Sequence, residues 1–281
     1  MQAYADACRA NGRTLALVPT MGGLHAGHLA LVREAGLHGD HVTVSIFVNP
    51  TQFSPEEDLA AYPRDLEEDL RTLEEAGGVD AVFAPDVETL YPGGPDNQRV
   101  WLDVGDLAAH LCGRFRPGHF RGVVTVVAKL FLSCKPHVAV FGRKDAQQYV
   151  ILRHLAKAFP FDVRVIGVDT VRTPDGLALS SRNAYLDPVE RAQAVVLSRA
   201  VARAREMVEE GEQCPGRVVA AMLREISVAP LATVQYAEVV STETLQPVTH
   251  IDHGCEILAA VAVFIGAARL IDNVIVRAPH A

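Results

Sequence analysis

Residues 14–37 read TLALVPTMGGLHAGHLALVREAGL, and the order of residue types along them decides the fold class. Thr14–Val18 is an unbroken apolar run of strand length, the pattern of a strand buried on both faces. A glycine-bearing turn follows, and from His28 to Leu37 the apolar residues recur with a helical period. Strand, short turn and helix form the first half of a βαβ unit. The pattern then repeats, with strand Val42–Val48, a polar loop, a charged helix at Asp65–Ala76 and a short strand at Ala81–Ala84. A helix over Val123–Ser133, strand Val138–Phe141, helix Ala146–Ala158 and strand Val163–Val168 complete it. Val- and Ile-rich strands separated by helices predict a parallel sheet, so residues 1–173 are expected to form an α/β, doubly wound, Rossmann-like domain.

Beyond this point the texture changes. Asp187–Glu210 predicts one long charged helix with apolar positions at Val195, Val196, Ala200, Val201 and Val208. Gly211–Gly216 interrupts it, and Arg217–Ser227 predicts another helix. Strand patterns follow at Thr233–Val240, Glu256–Phe264 and Ala268–Val276. Helices followed by clustered strands predict a smaller α+β domain over 174–281, with the boundary between Thr173 and Asp187. No internal repeat or low-complexity tract is visible.

Composition narrows the class further. The 281 residues are 49% hydrophobic and 21% charged, which excludes a disordered chain. The formal charge of −8 argues against a nucleic-acid partner, which calls for a basic surface, but leaves room for a local basic pocket. Cys8, Cys112, Cys134, Cys214 and Cys255 are scattered with no CxxC pair, so neither a zinc site nor a disulfide framework is indicated. The N-terminal MQAYADACRANGR lacks the apolar core of a signal peptide. The most apolar tract, Ile257–Ala268, is too short to span a bilayer, which takes ~20 residues. The expectation is a soluble, cytoplasmic protein with no membrane partner.

The turn PTMGGLHAGH, residues 19–28, lies at the carboxyl end of a strand, where doubly wound sheets bind ligands. It also opens a helix, whose N-terminal amides and partial positive charge suit phosphate. Gly22 and Gly27 have the G-x-x-x-x-G spacing of a P-loop, but His28 and Leu29 stand where that loop has Lys and Ser or Thr, and G-x-G-x-x-G is absent. What remains is His25-x-Gly27-His28. Two imidazoles three positions apart can face one ligand, or can simply cap the helix. No third Cys, His or carboxylate stands at metal-ligand spacing nearby, so no protein metal site is expected.

This turn resembles the His-x-Gly-His element of the nucleotidylyltransferases and class I aminoacyl-tRNA synthetases, and PTMGGLHAGHLALV resembles one family among them, the pantoate–β-alanine ligases. Further segments match that family in order: FVNPTQF at 47–53 with YPR at 62–64, RPGHFRG at 116–122, FGRKDAQQ at 141–148, DGLALSSRN at 175–183 with Tyr185-Leu, and RLIDN at 269–273. The resemblance spans nearly the whole chain. It implies a Rossmann-type catalytic domain with a smaller C-terminal domain, a homodimer, and ATP-dependent joining of (R)-pantoate to β-alanine. Pantoyl-adenylate and pyrophosphate form first, the amine then displaces AMP, and Mg²⁺ accompanies the nucleotide.

Adenylation is in-line attack of a carboxylate on the α-phosphorus, so positioning and charge neutralisation dominate. The resemblance implies that His28 is the proton donor, with His25, Lys144 and Arg182 the other catalytic groups. It implies an ATP site made of Met21, Gly22, Gly23, Leu24, His25, Ala26, Gly27 and His28, then Gly142, Arg143, Lys144 and Asp145, then Val171, Leu179, Ser180, Ser181 and Arg182. Lys144 offers a mobile point charge for phosphate, or is an ordinary solvated lysine. Ser180, Ser181 and Arg182 can wrap the β- and γ-phosphates, or cap the helix expected at Asp187. Neutral amides can hold a carboxylate while leaving it nucleophilic, which suits Asn49, Gln52 and Gln148, although such residues also commonly satisfy loop backbone. The resemblance places Gln52 on pantoate and near β-alanine, and Gln148 on pantoate. Asp145 either positions Lys144 or assists the nucleotide. The 174–281 domain is expected to act as a lid through its phosphate loop.

Three departures from the family pattern stand out. Cys112 replaces the glutamate of a Leu-Glu-Gly element, Arg143 adds charge between Gly142 and Lys144, and the short leading segment common in the family is expected to be truncated. A related nucleotidylyltransferase with another acceptor is the alternative. It would keep His25, His28 and Arg182 without needing Asn49-x-x-Gln52 or the 144–148 string.

Overall fold

The computed structural model describes residues 1–54, 59–60 and 62–280; the polar loop expected before the charged helix lies partly outside them, at 55–58 and 61. In chain order the elements are α1 (Gln2–Ala10), β1 (Leu15–Thr20), α2 (Ala26–Gly36), β2 (His41–Ile46), α3 (Leu66–Ala76), β3 (Ala81–Phe83) and α4 (Val87–Leu90). Then come α5 (Leu111–Phe115), α6 (His119–Cys134), β4 (Val138–Gly142), α7 (Ala146–Ala158) and β5 (Arg164–Val168). The remainder is α8 (Pro188–Ala194), α9 (Val196–Glu209), α10 (Pro215–Ser227), β6 (Ala232–Ser241), β7 (Glu256–Ile265) and β8 (Ala268–Arg277).

Among the described residues, the first five strands form one sheet in the order β3-β2-β1-β4-β5, and every pairing is parallel. The apolar run that opens the sequence is its centre: Leu15, Ala16, Leu17 and Val18 are at most 1% exposed. The strand order reverses between β1 and β4, so a ligand crevice is expected beyond the carboxyl ends of these two strands. Val42, Val44, Val138 and Val140 pack with Leu31, Val32 and Ala35 of α2 in the same apolar cluster.

The last three strands form an antiparallel sheet in the order β6-β7-β8. β7 is its middle strand, with Ile257–Val263 at most 5% exposed, which accounts for most of the apolar tract noted in the sequence. Val201, Ala204 and Val208 of α9 and Val218, Met222 and Ile226 of α10 share its core. Among the described residues, no helix is long and apolar enough to cross a membrane.

The chain clusters into two compact units. One comprises Met1–Gly105, Arg116–Arg143 and Ile151–Asp169; the other comprises Asp106–Phe115, Lys144–Val150 and Thr170–Ala281.

Two local expectations need correction, and two short helices were not expected. The helix expected over Asp187–Glu210 is two helices meeting at Val195. There the Ser198 hydroxyl donates to the Val195 carbonyl at 2.9 Å, competing with the Arg199 N–H, which lies at 3.3 Å from the same oxygen. Helix α6 begins at His119 rather than Val123, because its polar first turn is anchored to the 50–52 segment rather than to an apolar stripe. Helices α4 and α5, of four and five residues, are too short to display a period.

Candidate active site

The turn after β1 is shaped by a carboxylate the sequence did not single out. Asp69 of α3 is 4% exposed, and its Oδ2 and Oδ1 accept the N–H groups of Gly23 and Leu24 at 3.1 and 2.8 Å. Gly22 has φ +84°, and a Cβ there would stand 2.7 Å from Asp69 Oδ2, so only glycine fits both the backbone and the neighbour. The Gly22 N–H reaches Thr20 Oγ1 at 3.3 Å, and that hydroxyl donates to the Ser45 carbonyl at 2.8 Å.

The two histidines cap α2 reciprocally. His25 is the N-cap, its Nδ1 accepting the Gly27 N–H at 3.1 Å, and His28 Nδ1 accepts the His25 N–H at 3.2 Å. Their ring centroids are 4.1 Å apart. An Nδ1 that accepts from an amide keeps its lone pair, so a neutral ring carries its proton on Nε2. Capping therefore uses the Nδ1 edge of each ring, opposite Nε2. The N–H groups of Gly22, Gly23, Leu24, His25, Gly27 and His28 are all engaged within the protein. Most amides of this turn are thus engaged in holding its own shape.

Beyond β2, Asn49 caps the 3-10 turn Pro50–Gln52 and is 1% exposed. Its Oδ1 accepts from the Thr51 N–H at 3.4 Å and from Tyr91 Oη at 2.9 Å. Its Nδ2 donates to the Gly122 carbonyl at 3.2 Å and to Gln52 Oε1 at 3.1 Å. A backbone donor and a backbone acceptor thus fix the Asn49 amide orientation, which in turn fixes that of Gln52. Gln52 Oε1 faces Asn49, while its Nε2 lies 2.9 Å from Met21 Sδ. The Gln52 carbonyl is held by His119 Nδ1 at 2.8 Å and Arg116 Nη2 at 3.3 Å. Gly122 lets α6 approach this turn, since a Cβ there would lie 2.3 Å from the Thr51 carbonyl oxygen. Tyr91, fully buried, has the Lys129 ammonium 4.4 Å from its ring centroid. Burial lowers the Lys129 pKa below the ordinary lysine value. Neither Tyr91 nor Lys129 lies in a recognisable motif, so sequence reasoning missed both.

Gly142 ends β4, and Arg143 Nη1 donates to Asp169 Oδ1 at 3.0 Å, which offsets the added charge noted in the sequence. These residues, the histidine turn, Asn49 and Gln52 belong to the first unit.

The remaining candidates belong to the second. The Lys144 side chain is 21% exposed, with its Nζ 4.0 Å from Asp145 Oδ1. Gln148 is half-buried, whereas Gln147 is committed to structure: its Nε2 donates to the carbonyls of Leu107 and His110 at 3.0 and 2.9 Å. Val171 and Leu179 meet through a 2.9 Å backbone bond at the mouth of a hairpin. Arg191 grips Asp175 at that hairpin with two bonds of 2.9 Å, holding the carboxyl well below the usual range. Ser180 Oγ accepts the Arg182 N–H at 3.3 Å and caps the short turn Ser181–Tyr185. The helix beginning at Pro188 is capped by Asp187, in a capping box with Glu190, and not by Ser180 or Ser181. Cys112 has its Sγ 3.2 Å from Tyr236 Oη and accepts from Arg269 Nη2 at 3.4 Å. Burial first, then the neighbouring Cys112, raise the Tyr236 pKa well above its ordinary value.

Comparison with known proteins agrees with this architecture. The family model described as pantoate-beta-alanine ligase matches residues 1–275. A pantothenate synthetase of Salinibacter ruber is 62% identical over all of this chain and 96% of its own length. The crystal structure of pantothenate synthetase from Thermus thermophilus superposes with a TM-score of 0.86 at 44% identity, covering 96% of each chain. That of a pantoate-beta-alanine ligase from Francisella tularensis, complexed with beta-gamma ATP and beta-alanine, superposes with a TM-score of 0.76 at 32% identity, covering 96% of this chain and 94% of its own. With the family model matched over residues 1–275 and these relatives matched over nearly their whole length, the chain belongs to the pantoate–β-alanine ligase family.

Proposed function

We propose that this ligase joins pantoate to β-alanine in two half-reactions, with the residues described above in the following roles. A pantoate carboxylate oxygen attacks the α-phosphorus of ATP, the bond to the β-phosphate oxygen breaks, and pyrophosphate leaves. The β-alanine amine then attacks the acyl carbonyl, loses a proton and expels AMP. In the first step negative charge moves onto the leaving pyrophosphate and the α-phosphate oxygens, so donors placed there lower the barrier. His28, supported by His25, donates through Nε2–H. Lys144 neutralises the α-phosphate, and Ser180, Ser181 and Arg182 hold the β- and γ-phosphates.

Gln52 presents its amide N–H to pantoate and Gln148 contributes a second amide, while Asn49 acts by setting the direction of Gln52. The single observation that carries this reading is the reciprocal capping of His25 and His28, which leaves Nε2–H as the donor edge of each ring.

Mg²⁺ bound with the nucleotide would supply further charge neutralisation on its phosphates, beside that from Lys144 and Arg182. An ion of this kind is held by phosphate oxygens and water as well as by protein carboxylates. A cytoplasmic location fits the five free cysteines. A homodimer and a lid role for residues 174–281 belong to the same proposal, the first supported by the family resemblance and the second by the phosphate loop at 180–182.

The test is incubation with ATP, Mg²⁺, pantoate and β-alanine, omitting one at a time. ATP with pantoate alone should release pyrophosphate in a single turnover, with AMP appearing only after β-alanine is added. Pyrophosphate release that requires β-alanine sinks the two-step order.

A further inference from the structure

The tract RLIDN at 269–273 matches the family but has so far no part in the chemistry. It lies in β8, and two adjacent side chains of it hold the two segments of the second unit that carry nucleotide-site residues. Asn273, 8% exposed, donates from Nδ2 to the main-chain carbonyl of Lys144 at 2.7 Å. Asp272, 1% exposed, accepts from Arg172 Nη1 and Nη2 at 2.6 and 2.8 Å. Arg172 Nη1 also donates to the Gly176 carbonyl at 3.0 Å, closing the hairpin that leads to Ser180–Arg182. Successive residues of a strand project to opposite faces, so one dipeptide can serve both segments.

We infer that Asn273 is a positioning residue for Lys144: its amide N–H holds the Lys144 carbonyl and so fixes the turn from which the ammonium reaches the α-phosphate. The inference rests on the assignment of Lys144 to the nucleotide made above. A lysine side chain has reach but little direction of its own, because its four-carbon stem rotates freely. Where the ammonium spends its time is therefore set by the placement of the Lys144 backbone. That backbone sits in the 3-10 turn Arg143–Asp145, between β4 and α7, outside both the strand ladder and the helix. The carbonyl held by Asn273 is its tether to a rigid element. β8 does not need the Asn273 side chain for its own pairing, since its backbone matches β7 from Ala268 to Arg277.

The test compares Asn273→Ala and Asn273→Asp with the unaltered chain, each alone and Asn273→Ala also combined with Lys144→Ala. The readouts are single-turnover pyrophosphate release from ATP and pantoate with enzyme in excess, the KM for pantoate, and the melting temperature. Asn273→Ala should slow pyrophosphate release by about ten- to a hundredfold, the scale of a displacement near 1 Å in a reacting group, while the pantoate KM changes little. Asn273→Asp should be at least as slow, because it sets a carboxylate oxygen against the Lys144 carbonyl. In the Lys144→Ala background the Asn273→Ala change should add less than about a further twofold, since both act through one ammonium. Losses that multiply, a wild-type rate in Asn273→Asp, or a change confined to the melting temperature each overturn the inference. A wild-type rate in Lys144→Ala removes the underlying role of Lys144. Slow Lys144→Ala with fast Asn273 variants removes only the role of Asn273.

Discussion

His25 and His28 hold each other across the first turn of α2, the Nδ1 of His28 accepting the His25 N–H at 3.2 Å while the His25 Nδ1 accepts that of Gly27 at 3.1 Å. A cap bond and a catalytic bond usually compete for the same polar atom. An imidazole has two nitrogens, so this pair can do both without compromise. The amide fixes one nitrogen as acceptor, and that choice leaves the other as donor.

His28→Ala separates the two tasks by magnitude. Loss of a side-chain acceptor at a helix start costs on the order of 1 kcal/mol of stability. Loss of a donor aimed at developing charge costs roughly two to three orders of magnitude in turnover. The variant should therefore melt slightly lower and release pyrophosphate far more slowly. Unchanged turnover with a lowered melting temperature would show that the histidine only caps.

Asp69→Asn probes the support of the same turn. The aspartate accepts one N–H on each oxygen, from Gly23 and from Leu24. Asparagine keeps the size but offers a single acceptor, so one buried amide is left facing an NH₂ group. A loss of about 1–3 kcal/mol in urea unfolding is expected, together with slower pyrophosphate release. Wild-type stability would mean that the turn re-forms its bonds elsewhere.

The sheet was legible in the sequence for the same reason that Asp69 was not. Leu15–Val18 is apolar without interruption, and only a strand covered on both faces needs that. Asp69 lies in LEEDLRTLEEA, where one buried carboxylate among several exposed ones leaves no periodic trace. The break at Val195 depends on a serine hydroxyl bonding back to a carbonyl, a choice that sequence period does not register. The ordered motifs nominated the candidate site residues, but they carried no information on the direction of each amide. Asn49 shows this, since its polarity is set by Thr51, two positions on, and by Gly122, 73 positions away.

Asn49→Asp and Tyr91→Phe should therefore differ in kind. Replacing the Asn49 amide with a carboxylate removes the donor that faces both Gln52 Oε1 and the Gly122 carbonyl. Gln52 must then turn its amide around and present oxygen to the pantoate carboxylate. The pantoate KM should rise about tenfold or more with the ATP KM little changed. Tyr91→Phe removes only one donor to Asn49 Oδ1 and leaves the Thr51 N–H in place, so stability should fall by about 1 kcal/mol with both KM values near normal. Equal kinetic effects from the two substitutions would refute the orientation argument.

Asp175 gives a dependence on pH with a defined sign. Its hydrogen bonds from Arg191, and then from Thr173, depress the folded-state pKa below the ordinary aspartate value. A group lowered in this way stabilises the folded state above its unfolded pKa of about 3.9, and the contribution fades as pH falls through the lower folded value. The stability difference between the unaltered chain and Asp175→Asn should be constant near neutrality and shrink only below about pH 4. A difference that shrinks between pH 7 and 5 would assign the effect to another group.

Ser180–Arg182 offers a test of nucleotide binding that does not depend on turnover. The segment is held by local bonds: Ser180 caps a short 3-10 turn, Asn183 Nδ2 reaches the Ala178 carbonyl at 3.0 Å, and the hairpin before it is pinned by Arg191. Short turns of this kind open at low free-energy cost, so their amides exchange readily unless a ligand bridges them. Phosphate oxygens bound by two hydroxyls and a guanidinium would supply that bridge and shield an acyl-adenylate from water. Hydrogen exchange over residues 174–186 should slow when ATP and Mg²⁺ are added. Arg182→Ala should reduce that protection and pyrophosphate release together, whereas exchange over β7, whose Ile257–Val263 are at most 5% exposed, should not respond. Equal exchange over 174–186 with and without saturating nucleotide would remove the phosphate-gripping role of this loop and the lid proposal with it, while leaving the family assignment intact.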